Sequence, residues 1–168
     1  MFPKPRGGPN GEAGYPFPRM VTILACGTRS VIEASFGPDQ TGELSYARRL
    51  IVSLRPGMLL LGDRNFATYQ LFTDITDTGA DFLLRAKTGN TAMNLPVRER
   101  LYDGSFLTNA RGQTVRMIDA TMTVTTDAKT QTSPYRLITP LWTPARLPHS
   151  LWSGSTTNAG RSRPPTAS

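Results

Sequence analysis

Three features of the sequence predict an α/β fold. Two β-prone runs stand close together near the start, helical stretches then alternate with short apolar runs, and several short β-prone runs fill the second half. A chain of 168 residues is long enough for one domain with a sizeable core, although its hydrophobic fraction of 38% is slightly low for a chain packed throughout.

Met1 to Pro18 is expected to be an extended or disordered lead-in, because its prolines and glycines cannot sustain a helix and it has few large apolar residues. The composition changes at Arg19. Arg19 to Cys26 and Ser30 to Phe36 are β-prone and separated by a turn at Gly27-Thr28, which predicts an antiparallel hairpin. Met20, Thr22 and Leu24 point one way and Val21, Ile23 and Ala25 the other, so both faces are expected to be covered. Cys26 is read as a small core residue, and a lone cysteine leaves no internal disulfide.

Gly37-Pro38 ends the second run. Thr41-Gly42-Glu43 then starts a helix whose apolar face is Leu44, Ala47, Leu50, Ile51 and Leu54, with Arg48, Arg49 and Arg55 on its polar side. Leu59-Leu60-Leu61 reads as a short buried strand that delivers Asp63 to its C-terminal end. Asp63 has two readings at this stage: a reactive group placed at the open end of a sheet, or a cap for the helix that follows. That second helix carries Tyr69, Leu71, Phe72 and Ile75 and stops at Thr78-Gly79. Asp81 to Lys87 is a further strand, with Arg85 and Lys87 on one face at the period of two. The order is therefore β-β-α-β-α-β.

From Asn90 the pattern becomes β-rich. Val97 to Leu101, Ser105 to Leu107, Val115 to Asp119, Met122 to Thr125 and Tyr135 to Thr139 are short runs, with turns at Asp103-Gly104 and Arg111-Gly112 and a polar loop over Asp127 to Ser133. The expected organisation is a lead-in over 1–18, an α/β core over 19–89, a β-rich insertion over 90–140 and a disordered tail over 141–168.

The formal net charge is +7. Residues 142–168 contribute +3 through Arg146, Arg161 and Arg163, and residues 1–18 contribute +1. The body between them keeps only +3, which by itself is weak support for nucleic-acid binding. No apolar run has the length needed to span a bilayer and the start has no apolar signal core, so a cytoplasmic protein with no membrane partner is expected. The lone His149 has no second histidine with which to build a metal site.

A set of short motifs in order carries a resemblance. They include Arg19-Met20-Val21, Cys26-Gly27-Thr28, Gly42-Glu43, Ala47-Arg48-Arg49-Leu50 and Leu54-Arg55-Pro56-Gly57-Met58-Leu59-Leu60-Leu61. Asp63-Arg64-Asn65-Phe66, Gly79-Ala80-Asp81, Leu84-Arg85-Ala86-Lys87, Asp103-Gly104-Ser105 and Tyr135-Arg136-Leu137-Ile138-Thr139 follow. In this order they resemble the catalytic domain of insertion-sequence-four-type DDE transposases, members of the RNase H-like superfamily. The family usually has Gly in place of Asn65 and Trp in place of Leu84.

The resemblance implies an incomplete RNase H-like mixed sheet and a family activity of DNA transposition. In that family three carboxylates hold two Mg²⁺ or Mn²⁺ ions, which clamp both sides of an in-line phosphoryl displacement. Asp63 matches the second carboxylate. The first would precede Arg19, where Glu12 in the lead-in is not a plausible substitute. The third is expected on a helix with the pattern Y-x-x-R-x-x-x-E, which this sequence lacks. Codon choices exist that restore the pattern within Leu151 to Thr166 when each codon is read from its third base. The tail is thus expected to be out of frame, and the chain a truncated fragment.

By the same resemblance, Asp63 is the expected catalytic metal ligand, and Arg64, Arg85 and Lys87 the candidates for contacting transposon-end DNA. With one carboxylate of three, strand transfer by the chain alone is not expected, and neither is tight metal binding. The alternatives are a non-enzymatic pseudogene remnant with weak or no DNA binding, and an unrelated small α/β binding protein.

Overall fold

The computed structural model describes residues 18–89, 92–126 and 129–141. It is a mixed α/β structure, rich in strands and with two short α-helices. All of the expected lead-in but Pro18, which opens the first strand, and most of the expected tail, 142–168, lie outside the described residues.

Strands β1 (Pro18–Leu24) and β2 (Val31–Pro38) form the antiparallel hairpin, with Met20 opposite Phe36 and Val21 opposite Ser35. The register slips between Ile23 and Leu24, and the turn closes through the Ala25 N–H donating to the Ser30 carbonyl at 2.9 Å. The expectation that both faces are covered fails: Met20 and Phe36 are 66% and 65% exposed, and Leu24 and Val31 are exposed as well. Only the Ile23 side packs on the core. Cys26 is also corrected, because it stands exposed in the turn and not in the apolar strand.

Helix α1 (Glu43–Leu50), continued by a 3-10 turn at Ile51–Ser53, packs beneath the hairpin. Ala47, Leu50, Ile51 and Leu54 are buried as their spacing predicts, but Leu44 is exposed and Tyr46 takes the deep position. The Tyr46 hydroxyl donates to the Pro38 carbonyl at 2.8 Å, which satisfies the polar tip of a buried ring and ties the helix to the end of β2.

Strands β3 (Leu59–Gly62) and β4 (Asp81–Arg85) pair in parallel, joined by a 3-10 turn at Arg64–Phe66 and helix α2 (Tyr69–Asp77). The Thr68 side chain accepts from the Leu71 N–H at 3.3 Å and caps α2, whereas Asp63 makes no side-chain cap bond. Gly79 closes the helix at φ 78°, a conformation glycine adopts without strain. Phe72 stacks on Phe82 with ring centroids 4.8 Å apart, and both are fully buried. Each such side chain removed from water contributes about 1.5–3 kcal/mol.

The β-rich segment extends the same sheet. Strands β5 (Glu99–Arg100), β6 (Phe106–Ala110), β7 (Gln113–Thr126) and β8 (Lys129–Thr139) complete the six-stranded order β3-β4-β8-β7-β6-β5. β8 lies antiparallel to β4, with Leu84 opposite Ile138 and Arg85 opposite Leu137. Two runs expected to be separate, Val115–Asp119 and Met122–Thr125, are one strand. The expected polar loop before Ser133 is already strand from Lys129. Threonine explains both differences: it is polar in composition but β-branched, and Thr123, Thr125, Thr130 and Thr132 pair across the ribbon.

The hairpin does not join this sheet. β1 and β2 form a separate two-stranded sheet, and β3 is the edge strand of the larger one. Leu61 is therefore 49% exposed, and Leu59 and Leu60 are half-buried where a fully buried strand was expected. An edge strand has no neighbour to cover its outer side.

Candidate functional site

The site is built where the parallel pair ends. Gly62 lies opposite Leu84, so the next residues, Asp63 and Arg85, emerge side by side from β3 and β4. A side chain at position 62 would come within 2.6 Å of Leu84 Cδ2, so glycine there lets the two strand ends close up. The C-terminal ends of parallel strands are where α/β sheets present ligand-binding groups.

Asp63 is more than half exposed. Its Oδ1 lies 3.8 Å from Arg85 Nη1, an ion pair without a direct hydrogen bond. The Arg85 guanidinium also sits over the Tyr135 ring, 4.9 Å from its centroid. Tyr135 thus fixes the arginine from β8, within the range of a cation–π contact. Arg64 and Lys87 line a shallow depression with Asn65 and Thr88. Among the described residues neither cation has an ion-pair partner, so their charge is available to an anion.

All four residues expected from the sequence therefore fall at one end of the sheet. Arg64 and Lys87 share a depression, Asp63 and Arg85 form a loose pair, and the burial of Ala86 between Arg85 and Lys87 keeps the period of two. Asn65 and Tyr135 figure in the sequence only as members of motifs and Thr88 not at all, so none of the three was expected at the site. The register of β8 against β4 brings Tyr135 there, and pairing between strands more than fifty residues apart leaves no local pattern.

No protein-family model matches this chain, and neither does any curated protein or solved structure. Chemistry at the site rests on its own geometry. Among the described residues no three His, Cys, Asp or Glu side chains are grouped as a metal site would need. The charge nearest to Asp63 is cationic, and one carboxylate beside guanidinium groups does not fit a centre for two divalent ions. No catalytic step through a metal follows from these residues.

Other charged groups are engaged in structure. Arg48 donates to Asp74 at 2.7 Å and so links the two helices, Arg49 lies over Tyr46, and Arg55 bonds the Val52 and Leu54 carbonyls. Burial raises the Asp74 carboxyl, but hydrogen bonds from Gln70 and Arg48 outweigh it and hold the group below its ordinary range. Arg136 grips Asp119 with two bonds of 2.5 and 2.8 Å, which raise its guanidinium against the opposing effect of burial.

A buried cation far from the site also escaped the sequence reading. Arg116 on β7 is 3% exposed and bonds Ser105 Oγ at 2.9 Å together with the Asp103 carboxylate. At Asp103, burial acts upward, while bonds from the Ser105 hydroxyl and backbone N–H and the charge of Arg116 prevail and lower it. This network pins the Asp103-Gly104 turn to the sheet.

Proposed function

We propose that the chain is a DNA-binding protein of the insertion-sequence-four-type DDE transposase family, built on an RNase H-like core, and that it does not cleave DNA by itself. The observation that supports this reading best is the pair of uncommitted cations, Arg64 and Lys87, in one depression beside Asp63 at the carboxyl ends of β3 and β4. Two side chains of this kind neutralise neighbouring phosphates on a strand, a contact that gives affinity without base readout. The ordered motifs read from the sequence add to it.

The absence of cleavage follows from the donor set. Asp63 faces Arg85, and among the described residues no three His, Cys, Asp or Glu side chains come together as a metal site would need. An exposed aspartate paired with an arginine, outside any such group, lacks the charge to dehydrate and position two hard cations.

The test is fluorescence anisotropy of labelled DNA titrated with the purified chain at several salt concentrations, with and without Mg²⁺. Binding that weakens as salt rises, is not strengthened by Mg²⁺, which acts only as a competing counterion, and leaves the DNA intact is the expected result. Metal-dependent cleavage of the DNA contradicts the proposal, and so does the lack of any anisotropy change at low salt.

A further inference from the structure

The sheet edge opposite β3 carries side chains that the packing of the molecule does not use. β5 closes the six-stranded sheet there, four places and so roughly 19 Å from β4. Glu99 stands opposite Leu107 and Arg100 opposite Phe106, and the Arg98 N–H extends the pairing by donating to the Leu107 carbonyl at 2.9 Å. Side chains alternate along such a strand, so Arg98 and Arg100 share one face and Glu99 takes the other. Both arginines are exposed, and among the described residues neither has an ion-pair partner.

Two residues further on, Tyr102 is 89% exposed. It stands on a turn that is firmly held. The Leu101 N–H donates to the Ser105 carbonyl at 2.8 Å, the Gly104 N–H donates to the Leu101 carbonyl at 3.1 Å, and the buried Arg116 bonds both Asp103 and Ser105. The network that pins the turn therefore fixes where the Tyr102 ring stands without covering it.

Charged side chains on an edge strand discourage pairing with another chain, and this accounts for the two arginines taken alone. It does not account for the tyrosine, since an open aromatic surface invites association. Two guanidinium groups about 6.8 Å apart along the strand, with a ring beyond them, match the repeat of an extended single nucleic-acid strand. Successive phosphates answer the arginines, and the face of a base answers the ring. A duplex cannot supply the last contact, because its base faces are already stacked on one another.

We infer that the edge formed by Arg98, Arg100 and Tyr102 is a second nucleic-acid contact, one that takes unpaired nucleotides. It does not rest on the reading of the Arg64 and Lys87 depression, which lies across the sheet and shares no residue with it.

The probe is a short fluorescein-labelled oligo(dT), titrated with the full chain. Tyr102→Ala should weaken the complex about tenfold, the scale of one base stacked on an aromatic ring, while Tyr102→Phe keeps the ring and should bind as the parent does. Arg98→Ala/Arg100→Ala should lower the slope of log affinity against log salt by about 1.4, the value for two phosphates of a single strand. All three side chains are exposed, so these variants should keep the fold. Irradiated bromouracil in the oligonucleotide should crosslink to Tyr102, in the parent and in the Arg64→Ala/Lys87→Ala variant alike. Failure of oligo(dT) to bind at low salt overturns the inference, as does unchanged binding by Tyr102→Ala. A duplex that loses as much affinity as oligo(dT) in Tyr102→Ala contradicts the assignment to unpaired nucleotides. A crosslink that disappears in the Arg64→Ala/Lys87→Ala variant assigns the strand to the other site, and an oligoglutamate peptide that displaces oligo(dT) at equal concentration assigns this edge to acidic peptides instead.

Discussion

Arg85 stands between Asp63 and Tyr135, with Nη1 3.8 Å from the Asp63 carboxylate and the guanidinium 4.9 Å from the tyrosine ring centroid. The arginine is shared by a carboxylate on one strand and an aromatic face on another, so Asp63 is set among cations. That neighbourhood reverses the usual expectation for an aspartate in a nucleic-acid site.

Replacing Asp63 by Asn removes a negative charge beside Arg64, Arg85 and Lys87. Affinity for DNA at low salt should rise by about two- to fivefold, the scale of one exposed charge contact. Mg²⁺, as a competing counterion, should weaken binding by both proteins alike. If Asp63 instead held a metal that bridges to phosphate, the variant would bind more weakly than the parent in Mg²⁺, and anisotropy distinguishes the two directions.

The buried charge of Arg116 makes Asp103 and Asp119 unequal. Asp103→Ala strands a guanidinium that is 4% exposed, a loss toward the lower part of the ~3–5 kcal/mol range because Asp103 itself reaches water. Asp119→Ala breaks a solvent-facing pair and should cost under about 1 kcal/mol. Urea denaturation of both variants checks the contrast, and equal losses would refute it.

Acid should destabilise the fold through the same turn. The Asp103 and Asp74 carboxyls are held below their ordinary value in the folded chain, so the unfolded chain binds protons more readily as pH falls. Their stabilisation is full above the unfolded carboxyl value of about 4 and is lost as pH drops through the lower folded values. Thermal midpoints measured from pH 6 down to pH 2.5 should fall, and Asp103→Asn should flatten part of that fall.

The stacked pair Phe72 and Phe82 joins α2 to β4 at the centre of the core. Phe72→Ala should cost about 3–5 kcal/mol through lost burial and the cavity left behind. Met20→Lys, on the open hairpin face, should change stability by less than about 0.5 kcal/mol. A comparable loss for Met20→Lys would mean that the hairpin face is covered in solution.

Much of this architecture is legible residue by residue. Leu71, Phe72 and Ile75 announce α2 by their spacing, and Thr78-Gly79 marks its end. Asp63, Arg64, Arg85 and Lys87 lie together because two neighbouring strand ends place them, and those strands can be read from local pattern, whereas their roles at a site came only from the resemblance. What fails is information that only neighbours supply. Leu61 reads as buried from its type, yet its burial depends on whether a strand lies beside β3. Tyr46 and Leu44 are both apolar enough for the helix face; Tyr46 lies one turn before the buried Leu50, and the Pro38 carbonyl accepts its hydroxyl, which lets the ring be buried. Threonines in β7 and β8 look like loop by polarity, and the ribbon makes them strand.

DNA binding through Arg64 and Lys87 is tested most directly by the salt dependence of affinity for the parent chain and the Arg64→Ala/Lys87→Ala double variant. Loss of two phosphate contacts should lower the slope of log affinity against log salt by about 1.5–2, with binding weakened alike for unrelated sequences. An unchanged slope in the double variant contradicts this site as the one that meets DNA.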